Sequence, residues 1–348
     1  MRAQVLASVA ALLLPVALPL RCGFDESGGY ALTTASGARI EGLPVAVATK
    51  DGWASAGRAA IGAQRLTLSR VVNTSGADGG LGEYVGQAVH WRSAGGGAFV
   101  SGCRSYAGGR TVVLDSSFPD GAAFSAALPP GGLLTQFPAW EQASLRRAGY
   151  SQALSWEHDT MQPANSLTLG PSGGPTVYAT PRFSSVLVVS PLDHFMTSSA
   201  TNTTIDSSTT PVAAWGTAGT VRSVPPGFVH RIVLHEGRGL TQTMHEYGQL
   251  MQAVAASGSG GITKVPDVTL QRLGYSTDNG AMYCYCKEHC DTTLISVKDA
   301  WDTAEIPMAY LTFEGSWCAL FFIQVTSWFP WAVSALFLGS HTPCLWQV

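Results

Sequence analysis

The chain has 348 residues, 46% hydrophobic but only 12% charged, with a formal net charge of −3. That length suits two domains, and with no basic block or stripe nucleic acid is set aside as a partner. The 39 glycines, among many Ser and Thr, favour strands and turns over long helices.

In chain order, Met1 to Leu20 carries one cation, Arg2, ahead of the apolar run Val5 to Leu20. This reads as a signal peptide over residues 1–21, and hence as secretion. The cut is unmarked, because Arg21-Cys22 lacks a small-x-small signature, and Arg21 also argues against a lipoprotein at Cys22. Two sequons, Asn73-Thr-Ser75 and Asn202-Thr-Thr204, are candidate glycosylation sites in a secretory pathway.

Residues 22–239 show short strands between turn clusters, which predicts an antiparallel β-sandwich. The strand candidates are Arg65–Ser69, Tyr84–Trp91, Thr111–Leu114, Phe183–Ser190 and Phe228–Leu234. Ala139–Ala148 competes as a short helix. Gly239–Gly258 is the convincing helix: Met244, Tyr247, Leu250, Met251 and Val254 form one stripe. Thr243-Met-His-Glu246 fits a capping box, and Gly258 fits a C-terminal stop. Residues 240–261 are therefore expected to be a linker helix, ending in the flexible run Ser257–Gly261.

Leu273 to Tyr285 reads LGYSTDNGAMYCY. The aromatic residues suit a strand, and Ser276-Thr277-Asp278-Asn279 suits its end. A carboxylate, an amide and nearby Tyr rings are the chemistry of a sugar-hydroxyl site: Asp accepts, Asn does both, and aromatic faces cover C–H surface. An ordinary Asx turn between strands fits the same letters. Asp291–Ala304 is predicted helical, with Leu294, Val297 and Trp301 on its apolar side, and Pro307–Phe313 is predicted to be the next strand. Residues 318–348 form a hydrophobic tail. Within it Ala319–Leu338 is long enough to span a bilayer, although Pro330 interrupts it and no Lys or Arg flanks it. The reading preferred here is a non-native tail left by a truncated or mis-spliced coding sequence. A membrane anchor and a native core segment are the alternatives.

Other motifs carry less. Cys284, Cys286, His289 and Cys290 invite a zinc reading, but C-x-C followed by an adjacent His-Cys pairing is poor spacing for four ligands. Packing or a disulfide from Cys290 is favoured, and neither metal nor other cofactor is expected. Gly170–Gly174 has the letters G-x-S-x-G, yet a strand rather than a helix follows it. His235-Glu236 and His245-Glu246 lack the second His that a zincin needs. Glu157-His158-Asp159 reads as a solvated loop.

LGYSTDNGAMYCY resembles the first barrel strand of the α-galactosidase and raffinose-synthase-like glycosidases of glycoside hydrolase family 36. Weaker phrases recur upstream in the same order: the turns Ser117-Phe-Pro119 and Gln136-Phe-Pro138, the segment Ser190–Met196, and Pro226-Gly-Phe228. The resemblance implies an N-terminal sandwich, a linking helix and, over residues 262–317, the first β/α units of a (β/α)8 barrel. It also implies an α-galactoside as the carbohydrate partner, cleaved or transferred with retention by two carboxylates. Asp278, Asn279 and Tyr275 fall at the first strand and its end. Glu314 and Trp317 fall at the second, where the family usually has Asp followed by paired Trp. The family's nucleophile and acid/base belong to later strands, so the polypeptide as written is expected to be catalytically incomplete. The competing expectation is a non-enzymatic carbohydrate-binding or membrane-anchored sandwich protein.

Overall fold

Residue alternation along two strands builds the centre of the structure. In a computed structural model, which describes residues 18–57, 64–124, 132–155, 160–164, 169, 174–202, 211–259, 267–276 and 290–312, the chain divides into two units at residues 262/263. The fold is mainly β.

The first unit opens with β1 (Arg21–Phe24), β2 (Tyr30–Thr33) and β3 (Arg39–Glu41), an antiparallel meander. Next come β4 (Ala46–Thr49), β5 (Gly52–Ser55) and β6 (Gln64–Arg65). Four long strands then run back and forth: β7 (Thr67–Asp78), β8 (Gly82–Arg92), β9 (Ala98–Tyr106) and β10 (Thr111–Phe118). Shorter elements follow as β11 (Ala122–Ala123), β12 (Thr135–Gln136), β13 (Ala139–Glu141), α1 (Gln142–Arg147), β14 (Gln152–Leu154) and β15 (Gln162–Pro163). The unit is completed by β16 (Thr176–Ala179), β17 (Val186–Pro191), β18 (Ser198–Thr201), β19 (Val212–Thr217), β20 (Ser223–Val224), β21 (Phe228–Gly237) and α2 (Leu240–Ser259).

The largest sheet has nine strands in the order β15-β14-β16-β17-β21-β10-β9-β8-β7. Its pairings are all antiparallel, as expected for a sandwich. Along β10, Val112, Leu114 and Phe118 enter the main core, together with Ile232 and Leu234 of β21. The smaller sheets β12-β4-β5-β6 and β13-β19-β18 contribute to the same core through Val47, Ala54, Trp140 and Trp215. Trp140 and Trp215 meet edge to face at 5.4 Å, an arrangement aromatic quadrupoles favour. A disulfide joins Cys22 of β1 to Cys103 of β9.

The opposite face of the large sheet carries α2. Tyr247, Leu250, Met251 and Val254 pack on Tyr106, Val113 and Val233, while Leu240 and Met244 pack on Val177, Val186 and Val188. The helical stripe is thus as expected, and through it the helix packs as a layer of the first unit. The capping box is not formed. Thr243 lies in the helix, buried, and its hydroxyl donates to Gly239 O at 2.7 Å, while Glu246 accepts from Arg110 and Gln242. Gly239, at φ +74°, starts the helix instead. The helix expected at Ala139–Ala148 is β13 followed by the six-residue α1, because Ala139 and Trp140 pair with Ala214 and Ala213.

Residues 18–20, at the end of the expected leader, pack in the first unit. Leu20 is fully buried in the main core and its N–H donates to Gly109 O at 2.7 Å, and the Leu18 N–H donates to Ala35 O at 3.1 Å. No described helix is long and apolar enough to cross a membrane, and the hydrophobic tail at 318–348 lies outside the described residues.

In the second unit, Asp267 caps α3 (Val268–Gln271) by accepting from the Thr269 N–H at 2.8 Å. The chain then forms β22 (Leu273–Ser276), α4 (Cys290–Thr303) and β23 (Met308–Thr312). The two strands pair in parallel, the arrangement that requires a crossover connection. One strand–helix–strand unit is what the described residues show here; a closed barrel is not among them.

Candidate functional site

The strand ends of the second unit are built by close packing. Gly274 faces Tyr310, and a Cβ at Gly274 would lie 2.2 Å from that ring, so glycine permits the approach. The register then runs Tyr275 against Leu311 and Ser276 against Thr312. Both strands therefore finish at the same edge, level with each other. The sequence that follows β22 carries Asp278 and Asn279, and that which follows β23 carries Glu314 and Trp317. Those four residues lie outside the described ones, as do Cys284, Cys286 and His289 of the cysteine cluster. Tyr275 is described: half-buried, its ring meets Trp301 of α4 edge-on at 6.3 Å. What the structure gives Tyr275 is a helix partner.

The first unit has a cleft of about 370 Å³ at one end of its large sheet. Leu18, Ser36, Gly109, Tyr150, Ser185 and Glu236 are among its lining residues. Glu236 is 3% exposed. Its Oε1 accepts from the Ser185 hydroxyl at 2.7 Å and the Tyr150 hydroxyl at 3.0 Å, and its Oε2 accepts from the Ala35 N–H at 2.8 Å. Burial, with the neighbouring Glu236 charge, raises the Tyr150 pKa, so the phenol stays a donor. Arg110 and Arg238 are exposed beside it, and Arg110 is held at 2.9 Å from Glu246 of α2. A carboxylate with three donors is an anchored acceptor, suited to positioning rather than to nucleophilic attack.

Sequence reasoning set Glu236 aside with the failed zincin pattern. The signal was its place next to His235 at the end of a strand, since adjacent residues of a strand face opposite ways. His235 faces α2, 3.5 Å from Glu246, and Glu236 faces the cleft.

A third polar arrangement crosses the helix-side face of the large sheet. Arg231 of β21 pairs with Asp193 at 2.6 Å, and Arg104 of β9 bridges Asp78 at 2.8 Å and Asp115 at 3.4 Å. Asp115 sits opposite Arg231 in register and opposite Gly102, whose missing side chain makes room for the carboxylate. Desolvation raises the Asp115 pKa, although both guanidiniums oppose the shift.

The two sequons differ. Asn73 is exposed on β7, and its Oδ1 accepts from Gln87 Nε2 at 3.3 Å. Asn202 is half-buried just past β18; its Oδ1 accepts from the Leu169 N–H and its Nδ2 donates to Val212 O at 3.2 Å. The described tryptophans of the first unit form no open groove: Trp91, Trp140 and Trp215 are buried and Trp53 is half-buried.

No protein-family model matches the chain, and no curated protein matches it. Among solved structures it is similar to an α-N-acetylgalactosaminidase from Bifidobacterium bifidum in its GalNAc complex, with 12% identity, a TM-score of 0.47, and coverage of 85% of this chain and 50% of that one. It is similar to a glycoside hydrolase family 97 enzyme from a Pseudoalteromonas species in complex with panose, at 9% identity and TM-score 0.42, covering 74% and 38%. It is also similar to a β-arabinopyranosidase, at 10% identity and TM-score 0.39, covering 63% and 38%. These neighbours are glycoside hydrolases, and the chain spans half their length or less.

Proposed function

We propose that this chain is a glycosidase-family protein of α-galactosidase type, binding an α-galactoside at the strand ends of its second unit. The observation that carries the reading is the parallel pairing of β22 and β23 with Ser276 level with Thr312. It starts the Asp278-Asn279 and Glu314-to-Trp317 segments from one edge, the edge where barrels of this kind keep their active residues. In this reading Asp278 accepts hydrogen bonds from sugar hydroxyls, Asn279 both donates and accepts, and Trp317 covers a C–H face. Glu314 supplies a further acceptor, and Tyr275 steadies the strand against Trp301. The proposal assigns these residues to substrate binding; nucleophile and acid/base are assigned to no residue of this chain.

A secretory location for the protein is part of the same proposal. It is supported by the Cys22–Cys103 disulfide, since such bonds persist in oxidising compartments.

The test is calorimetric titration of the wild type and Asp278→Asn with galactose and an α-galactoside. The variant is expected to bind at least about tenfold more weakly, about 1.4 kcal/mol, with an unchanged unfolding midpoint. Equal affinity overturns the assignment of Asp278. Galactoside binding by neither protein overturns the proposed ligand.

A further inference from the structure

Strand β7 is the outer strand of the nine-stranded sheet and, among the described residues, pairs with β8 alone. It is 12 residues long, so its outward row of N–H and C=O groups is an extended template for another strand. Proteins blunt such edges with charges, prolines, bulges or a covering element. Here the register shift lies at Leu68/Arg70, and the seven residues Val71 to Ala77 between Arg70 and Asp78 hold neither a charge nor a proline.

Asn73 sits within that stretch and begins the triplet Asn73-Thr74-Ser75. Its side chain is exposed; Oδ1 is held by Gln87, and Nδ2 makes no hydrogen bond among the described residues. Asn202 has the same letters and the opposite setting, half-buried with both amide atoms engaged. We infer that Asn73 carries an N-linked glycan and that this glycan guards the β7 edge against pairing with a second copy. Chemically, Nδ2 attacks the anomeric carbon of a lipid-linked oligosaccharyl diphosphate. The N–C bond forms, the C–O bond to the diphosphate breaks, and the Nδ2 proton leaves to the base that assists the attack. The glycan's bulk beside the strand then keeps a second β7 from approaching, which an uncharged edge cannot do itself.

The experiment expresses the full chain in a eukaryotic secretory host and maps glycopeptides by mass spectrometry. A glycan is expected at Asn73 and none at Asn202. Ser75→Ala removes the sequon while keeping the Asn73–Gln87 bond; it is expected to lose the glycan and to elute as a dimer or larger, increasingly so with concentration. Asn73→Lys loses the glycan but supplies an edge charge, and is expected to stay monomeric. If Ser75→Ala is not exported, endoglycosidase trimming of folded wild type to one sugar residue replaces it, with the same association expected. An unmodified Asn73, or a glycan-free or trimmed protein that stays monomeric, overturns the inference.

Discussion

The carboxylate of Glu236 and the backbone N–H of Ala35 meet at 2.8 Å across 201 residues of sequence. The bond fastens the turn between β2 and β3 to the last strand of the large sheet, and the same carboxylate holds Tyr150 and Ser185.

Glu236→Ala is therefore expected to leave the Ala35 N–H without its acceptor and the Tyr150 and Ser185 hydroxyls with only each other, at 3.1 Å, and to cost about 3 kcal/mol. Glu236→Gln, which keeps one carbonyl acceptor, is expected to cost about half as much. Urea midpoints of the three proteins check the order.

His230 sits 1% exposed in the first unit, and neither ring nitrogen has a hydrogen-bond partner among the described residues. Desolvation lowers its pKa from 6.5 to about 4, against a weaker opposing pull from Asp193. The unfolded chain takes up this proton first, so stability is complete above pH 6.5 and is lost as pH falls from there towards 4. Over that window the loss reaches about 3 kcal/mol, at 1.36 kcal/mol per unit. His230→Phe is expected to remove this part of the slope. The wild-type-minus-variant difference in urea midpoint, measured from pH 7 to 4, isolates it from carboxylates such as Asp115.

Gly274→Ala is expected to prise β22 from β23, because the new Cβ would meet the Tyr310 ring. Overpacking of this kind costs about 1–3 kcal/mol. Adding Tyr310→Ala is expected to recover part of that loss, giving a non-additive double-mutant cycle by hydrogen exchange at the two strands.

If a leader is removed, the cut is expected upstream of Leu18. Cutting at residue 21 would take away the buried Leu20 and its bond to Gly109, at a cost comparable to Leu→Ala in a core, about 2–5 kcal/mol. N-terminal sequencing of exported protein checks this; a first residue at Cys22 would refute it.

The strands that could be read from sequence were those with clear alternation or dense β-branched residues, such as Thr111–Leu114 and Phe228–Leu234. The helix from Leu240 was readable from its stripe of Met244, Tyr247, Leu250, Met251 and Val254. Capping was not, since Ser/Thr-x-x-Glu letters do not say where the preceding strand releases the chain; here Gly239 decides, and Thr243 turns its hydroxyl back along the helix. Ala139–Ala148 misled because its β13 residues are strand through pairing with β19, a long-range contact that local propensity does not contain. Of the candidate site, the strand–helix–strand rhythm was legible, while Asp278 lies outside the described residues. The Glu236 cleft was not, because its partners Ala35, Tyr150 and Ser185 are scattered along the chain.

The large sheet is assembled out of sequence order. β7 to β10 form one ribbon and β14 to β17 another, and the two are joined by β21, which pairs with β10 on one side and β17 on the other. During synthesis both ribbons leave the ribosome with an unfilled slot between them, and the slot closes when residues 228–237 emerge. Until then each ribbon has a bare inner edge of mostly apolar strand, the kind of surface on which chains misassociate. The interval between translation of Pro191 and of Gly237 is thus the period in which a nascent chain is most exposed to a neighbour on the same message.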